Sequence, residues 1–345
     1  MPVTIKDVAK HANVSQSAAA MAIGNYGRIS EKTRQRVLEV AKELGYQPNA
    51  IARSMIKKRT NVIGIVIPDI CNSVFTEIVR GVADVAKQSG YVTTVCNTDE
   101  DIKVEEYYLQ DMIERRVDGI ILASSASTAR EVKYRDHTPP IVLVDRHLTG
   151  FKHDVVAVDN VSGALEAVNY LVSLGHKRIG IVIAPLSVVT SMERFEGYKR
   201  ALTNHGIDID KDLICVSDLK QRGQNVIDMF GRLASPPTAL FTANNVVTVG
   251  TLLELKAHGI RVPQDVSVIA FDDLQVGPLL NPPLTVVSHP AYMVGSTAAQ
   301  LLLQRINGTR RNGVDAQTIT LKPQLIVRES CSVPSEGALW LNHTT

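Results

Sequence analysis

Three side chains in one short segment have the types and spacing to read a nucleic acid. In "VSQSAAAMAIGNYG", Val14 to Gly27, a helical advance of about 100° per residue puts Gln16, Ser17, Ala20, Met21 and Gly24 on one face. Ala18, Ala19, Ala22 and Ile23 fall on the other. That second face is small and apolar, fit to pack closely on neighbouring helices. The first offers an amide, a hydroxyl and a thioether. In a helix-turn-helix, the N-terminal end of the second helix carries such groups to base edges in the major groove. A three-helix bundle with no nucleic-acid role has the same two-faced pattern, so the segment alone leaves both readings open.

The flanks supply the elements that would hold this helix. Thr4 and Asp7 have capping-box spacing and open a helix through about Ala12. "NVS" turns the chain, Ser15 caps the second helix through about Ile23, and "GNYG" breaks it. Ser30 caps a third helix, with Val37, Val40, Ala41 and Leu44 on one face and Gly45 as its stop. Charge is uneven along the 345 residues: the first 60 carry 11 Lys+Arg against 4 Asp+Glu, and the remainder 26 against 31. A basic head on a mildly acidic body suits a nucleic-acid contact confined to the head, and equally a merely solvated basic face.

The body repeats one theme. Apolar runs such as "VIGIVIPD", "DGIILA", "PIVLVD", "RIGIVI", "TALFTA" and "VSVIAF" read as strands buried on both faces. Amphipathic helical stretches lie between them, several stopping at a glycine. Alternating strand and helix implies parallel sheets covered on both sides, and more than ten strands over this length divide better into two sheets. Ligands of such folds sit beyond the carboxyl ends of the strands. The tail "SVPSEGALWLNHTT" has no sustained heptads and is expected to fray.

Several functional classes are disfavoured. No run of about 18 apolar residues occurs, so no membrane span is expected. "MPVTIKDVAKHANV" has no apolar segment of the secretory kind, which points to the cytoplasm. The four cysteines have no C-x-x-C spacing and read as reduced thiols; no metal or cofactor is expected. There is no P-loop, G-x-G-x-x-G, H-E-x-x-H or G-x-S-x-G, and adjacent Asp272 and Asp273 cannot both point into a cleft from a strand. No catalytic residue is assigned.

The segments "TIKDVAKHANVS", "RISEKTRQRVLEVAKELGYQPNAIARSM", "LGHKRIGIV", "RFEGY" and "GIRVPQDVSVIAFDD", in this order, resemble the lactose-repressor/galactose-repressor (LacI/GalR) family of bacterial transcriptional regulators over about Val3 to Arg328. The resemblance implies an N-terminal all-α helix-turn-helix head at 1–47 and a hinge helix with linker at 48–60. An α/β periplasmic-binding-protein-like core of two parallel-sheet subdomains would then span 61–330. The N-subdomain is expected at about 61–159 and 290–319, the C-subdomain at about 160–289 and 320–330, and a short tail at 331–345. It further implies a homodimeric repressor, binding double-stranded operator DNA of inverted-repeat sequence, whose affinity a small-molecule effector, a sugar or sugar derivative, would modulate. The short tail argues for a dimer over a tetramer.

DNA contacts implied by the resemblance fall on Thr4, Ser15, Gln16, Ser17, Ala20, Met21, Asn25, Tyr26 and Arg28 in the head. Asn49, Ala52, Arg53 and Met55 follow in the hinge, where Met55 takes the place of a leucine that wedges into the minor groove. The sequence departs from the family's pattern at Ala18, Ala19 and Ala20, where Thr-Val-Ser is usual, and at Met21, often an arginine. A bidentate guanine reader is thus replaced by a group capable only of apolar contact.

For the effector cleft the resemblance implies Asp272, Arg194 and Asn244, with Phe75 as an apolar wall and Asp145, Thr190 and Leu219 completing the set. An aspartate and an arginine together suit a vicinal diol, the carboxylate accepting hydroxyl protons and the guanidinium donating to the same oxygens. Leu219 and Val74 stand where relatives often have aromatics. Asn245 replaces a usual acidic residue, and His176 reads as structural.

Overall fold

The computed structural model describes residues 3–47, 59–126, 139–148, 150, 153–217, 223, 225–308, 316–335 and 340. The chain forms two compact units, one of the first 61 residues with Arg116–Asp118, the other of the remainder.

The head contains α1 (Ile5–His11), α2 (Gln16–Gly24) and α3 (Glu31–Glu43). Each starts where a side chain satisfies the helix's free N–H groups. The Asp7 carboxylate accepts from the Thr4 backbone N–H at 2.9 Å, Ser15 Oγ accepts from the Ala18 N–H at 3.1 Å, and Ser30 Oγ from the Thr33 N–H at 3.2 Å. Val8, Ala9, Ala12, Ala19, Ala22, Val37 and Ala41 form the core. The alanines are therefore packing residues: side chains of one carbon let three short helices approach closely.

The second unit is built on two six-stranded sheets. In the first lobe β1 (Val62–Ile67), β2 (Val92–Asn97), β3 (Gly119–Leu122), β4 (Ile141–Val144), β5 (Asp154–Val158) and β11 (Thr318–Leu321) lie in the order β11-β5-β4-β3-β1-β2. In the second, β6 (Ile179–Ile183), β7 (Ile214–Val216), β8 (Ala239–Thr242), β9 (Ser267–Phe271), β10 (Thr285–Ser288) and β12 (Gln324–Ile326) run β12-β10-β9-β8-β6-β7. Every pairing is parallel except β10 with β12. Central strands β3, β4, β6, β8 and β9 are buried throughout, as their unbroken apolar runs require, while edge strands β2 and β11 alternate with exposed positions. The chain passes between the sheets after β5, after β10 and between Leu321 and Gln324.

The covering helices that concern the cleft are α4 (Ser73–Gln88) and α10 (Ala291–Ile306) in the first lobe, and α6 (Asn160–Ser173), α7 (Val189–Asn204) and α9 (Asn245–Ala257) in the second; α5 (Ile102–Glu114) and α8 (Val226–Phe230) complete the set. Two helix pairs meet backbone to backbone. A methyl group on Gly295 would overlap the Ile78 carbonyl, and one on Gly81 the Tyr292 carbonyl, so α4 and α10 touch where neither has a side chain. Gly197 brings α7 equally close to the Val161 carbonyl of α6.

Of the tail expected to fray, residues 336–339 and 341–345 lie outside the described residues, while Ser332 and Trp340 are held against the second lobe. Ser330 Oγ donates to the Val268 carbonyl at 2.6 Å, Ser332 N–H to Ser267 Oγ at 3.0 Å, and Trp340 is 1% exposed in the core of the second lobe. Its ring meets Phe230 edge-on with centroids 6.2 Å apart. The short Leu339-Trp340-Leu341 run was the available signal, and the absence of sustained heptads around it obscured the signal. His176 is structural: it joins Thr238 Oγ1 at 2.8 Å, Ser267 Oγ at 3.1 Å and the Ser332 carbonyl at 2.9 Å.

Gly295→Ala is expected to destabilise the second unit by about 1–3 kcal/mol, because the added methyl must push apart two backbones and not a flexible side chain. Urea denaturation measures it; an unchanged midpoint would mean the helices part freely.

Candidate functional site

In the head, Gln16 and Ser17 are exposed in the first turn of α2, with nothing between them and solvent. Ala20 and Met21 are half-buried, and a Cβ on Gly27 would press on Met21 Sδ, so the thioether folds back over the turn that ends the helix. Asn25 ends α2 in the left-handed conformation (φ 52°), its N–H on the Met21 carbonyl. Its Oδ1 accepts from Arg34. The Tyr26 ring lies over Gly24 and leaves it buried, although the helical wheel puts Gly24 on the outer face. Arg28 is exposed. The hydroxyls of Thr4 and Ser15 are engaged in capping. Asn49, Ala52, Arg53 and Met55 lie outside the described residues.

In the second unit, Phe75, Asp145, Thr190, Arg194, Asn244 and Asp272 line one cavity of about 60 Å³ between the lobes. They come from both sheets: Phe75 from the first turn of α4, Asp145 from the end of β4, Asp272 from the end of β9, and Thr190 and Arg194 from α7. Asp145 (φ 65°) and Asp272 (φ 71°) both sit in the left-handed region just past a strand. An L-residue tolerates that conformation at some cost, and it aims each carboxylate back over the strand end. Leu219 lies outside the described residues.

Arg194 is 4% exposed, and its Nε and Nη1 are engaged. Its Nε donates to Asn160 Oδ1 at 2.8 Å, its Nη1 to the Ala243 carbonyl at 2.7 Å and to Asp272 Oδ2 at 3.3 Å. The guanidinium lies 3.8 Å from the Phe271 ring centroid. Burial pushes the Asp272 carboxyl up, but Arg194, His289 and the Asn245 N–H outweigh it and hold it below the usual carboxylate range. Asp272 therefore presents an anion. Asp273 turns away, paired with Arg328 at 2.9 and 2.6 Å, as adjacent residues leaving a strand must.

The structure adds residues that sequence reasoning missed. Arg146 lies on the opposite lip, held by Glu100 through two bonds of 2.7 Å and by the Ser124 carbonyl at 3.1 Å. Its guanidinium is 5.9 Å from the Phe75 ring centroid. Behind it, burial pushes the Glu105 carboxyl up, although the Ser125 N–H and the Ser124 hydroxyl bond to it. His289, on the crossover between β10 and α10, places Nδ1 3.3 Å from Asp272 Oδ1. A second, open hollow of about 230 Å³ lies against Ser73, Glu77, His289 and Asp272. The Asp-Arg dipeptide at the end of a strand was the available signal for Arg146; His289 and Glu100 had none, being brought in by long-range topology.

Asp272→Ala is expected to cost about 3–5 kcal/mol of stability, since it leaves a buried guanidinium without its counter-charge. The Asn160, Ala243 and Phe271 contacts favour the lower end. Chemical denaturation reads this directly, and a loss below about 1 kcal/mol would mean the pair contributes nothing net.

Residues 4–49 match the family described as bacterial regulatory proteins, lacI family, and residues 168–331 match a periplasmic binding protein-like domain. The chain is 32% identical over 329 residues to the HTH-type transcriptional repressor CytR of Escherichia coli (strain K12), covering 95% of this chain and 96% of that protein. Its fold is similar to that of the lac repressor dimer bound to operator and the anti-inducer ONPF (TM-score 0.83, 24% identity, 96% and 100% of the two chains). A LacI-family transcriptional regulator from Enterococcus faecium with bound ribose matches with a TM-score of 0.70 at 28% identity, over 79% of this chain and 100% of that one. A capped helix-turn-helix head, a two-sheet core and full-length similarity to a repressor lead to one assignment: the chain belongs to the lacI family of bacterial regulatory proteins and is a transcriptional regulator, not an enzyme.

Proposed function

We propose that the protein is a cytoplasmic repressor that binds an inverted-repeat operator as a homodimer, its affinity set by a small polyhydroxylated metabolite in the cleft between the lobes. The observation that carries this reading is the buried Asp272–Arg194 pair facing Phe75, an ionised acceptor beside a fixed donor against an apolar wall. That set binds two neighbouring hydroxyls and covers the carbon face of a sugar ring. Ribose in the Enterococcus faecium regulator favours a pentose-sized ligand. The cavity, at about 60 Å³, holds a few waters and not a ring, so binding entails separation of the lobes or movement of side chains.

Two further observations support the dimer and the DNA contact. Val249 and Leu253 are exposed one turn apart on α9, and Val276 and Leu279 are exposed about the short 3-10 turn at Gly277–Leu279, apolar surface that a second copy would cover. In the head, Gln16 and Ser17 are free at the N-terminal end of α2. The hinge contacts of Asn49, Ala52, Arg53 and Met55 belong to the same proposal. No helix among the described residues is long and apolar enough to cross a membrane.

Asp272→Asn and Arg194→Lys keep side-chain size and remove charge-assisted bonds worth about 1.5–3 kcal/mol each. Both are expected to weaken the response to ribose, titrated against operator-bound protein, on the order of 10–100-fold, with effector-free operator affinity retained. An unchanged midpoint in both variants would remove the cleft from the mechanism.

Selection from randomised DNA tests the head. Wild type is expected to recover an inverted repeat. Met21→Arg should tighten binding and bring guanine to one position, each bidentate pair adding roughly 1–3 kcal/mol of discrimination. Gln16→Ala should relax a different position, being about 140° round the helix. If Met21→Arg returns the wild-type consensus, that face of α2 is not in the groove.

A further inference from the structure

One contact crosses the cleft without passing through a charged group. Asn72 caps α4 on the first lobe, its Oδ1 accepting from the Val74 N–H at 3.0 Å. The same oxygen accepts from Asn245 Nδ2 at 2.7 Å, and that amide also donates to Ser73 Oγ at 3.2 Å. Asn245 is the first residue of α9 on the second lobe and is 5% exposed. Its side chain thus reaches across to the cap of a helix on the facing lobe.

The donor direction of this contact is fixed. The Val74 N–H can only donate, so Asn72 must turn its oxygen inward and cannot flip without uncapping α4. Residue 245 must therefore present a donor. A carboxylate there would set acceptor against acceptor at 2.7 Å. Asn245 Oδ1 is buried without a partner among the described residues. The contact closes the lobes while leaving one polar atom unsatisfied, so a competing donor can release it.

We propose that Asn72 and Asn245 form a latch that holds the two lobes together in the free protein. Parting the lobes breaks both side-chain bonds. The consequence for effector response rests on the reading of the cleft given above; the latch itself does not.

Hydrogen–deuterium exchange on the full chain, without ligand or DNA, tests it in wild type, Asn245→Asp, Asn72→Asp and the double variant. Asn245→Asp replaces the donor by an acceptor and should speed exchange in peptides covering 72–76 and 245–249 about tenfold or more. Asn72→Asp keeps the cap and the acceptor and should leave exchange unchanged or slower. The double variant, with two carboxylates facing, should exchange fastest. Central strands β3 and β8 serve as the folding control and should not change. The latch is overturned if Asn245→Asp leaves 72–76 at the wild-type rate, or if Asn72→Asp speeds exchange as much as Asn245→Asp does. Because no effector is present, either result bears on the latch alone, whereas the ribose titration bears on the cleft.

Discussion

A carboxylate and a guanidinium taken out of water must each find every partner inside the protein, and much of the second lobe is arranged to meet that demand. Arg194 alone draws on α6 through Asn160, on the end of β8 through Ala243, on β9 through the Phe271 ring, and on Asp272. Asp272 in turn draws on His289 from the crossover between β10 and α10. Burial on this scale costs several kcal/mol per ion before any bond is counted. Parallel strands ending at a common edge are what permit it: their carboxyl ends bring loops from distant parts of the chain to one place, where N–H groups and side chains converge.

The first lobe repeats the device. Asp145 leaves β4 as Asp272 leaves β9, with the same left-handed turn, and Arg146 is pinned by Glu100 as Arg194 is by Asp272. The cleft is therefore walled on both sides by rigid charge, with the aromatic ring of Phe75 adjoining Arg146. Charges held this firmly within each lobe favour a compact molecule with fixed hydroxyls once the lobes have made room for it.

Much of the fold is legible in the chain because burial on two faces leaves an unbroken apolar run, and β3, β4, β6, β8 and β9 all carry one. The edge strands are less legible: β11 and β12 are short and half exposed, so their patterns resemble loops. Caps at Thr4, Ser15 and Ser30 mark the head's helices because the physics that satisfies them is local. The cleft divides along the same line. Asp272, Arg194 and Phe75 stand in recognisable segments, and Arg146 follows an aspartate at a strand end, whereas Glu100, Asn72 and His289 acquire meaning only from contacts such as the 173-residue span between Asn72 and Asn245. Trp340 is the extreme case, a core residue far along the chain from the lobe it fills, marked only by the leucines on either side of it.

The glycine contact between α4 and α10 bears on how the lobes move. Helices separated by side chains can slide past one another by exchanging rotamers, but helices pressed backbone to backbone at Gly81 and Gly295 have no such freedom. The contact of α6 with α7 at Gly197 locks the other lobe in the same way. Shear within a lobe is closed off, and flexing falls to the crossovers after β5, after β10 and after β11, the last two carrying Pro290 and Pro323. Within each lobe the helices joined through these glycines travel together, and whatever moves one lobe against the other is carried by the three stretches of chain that link them.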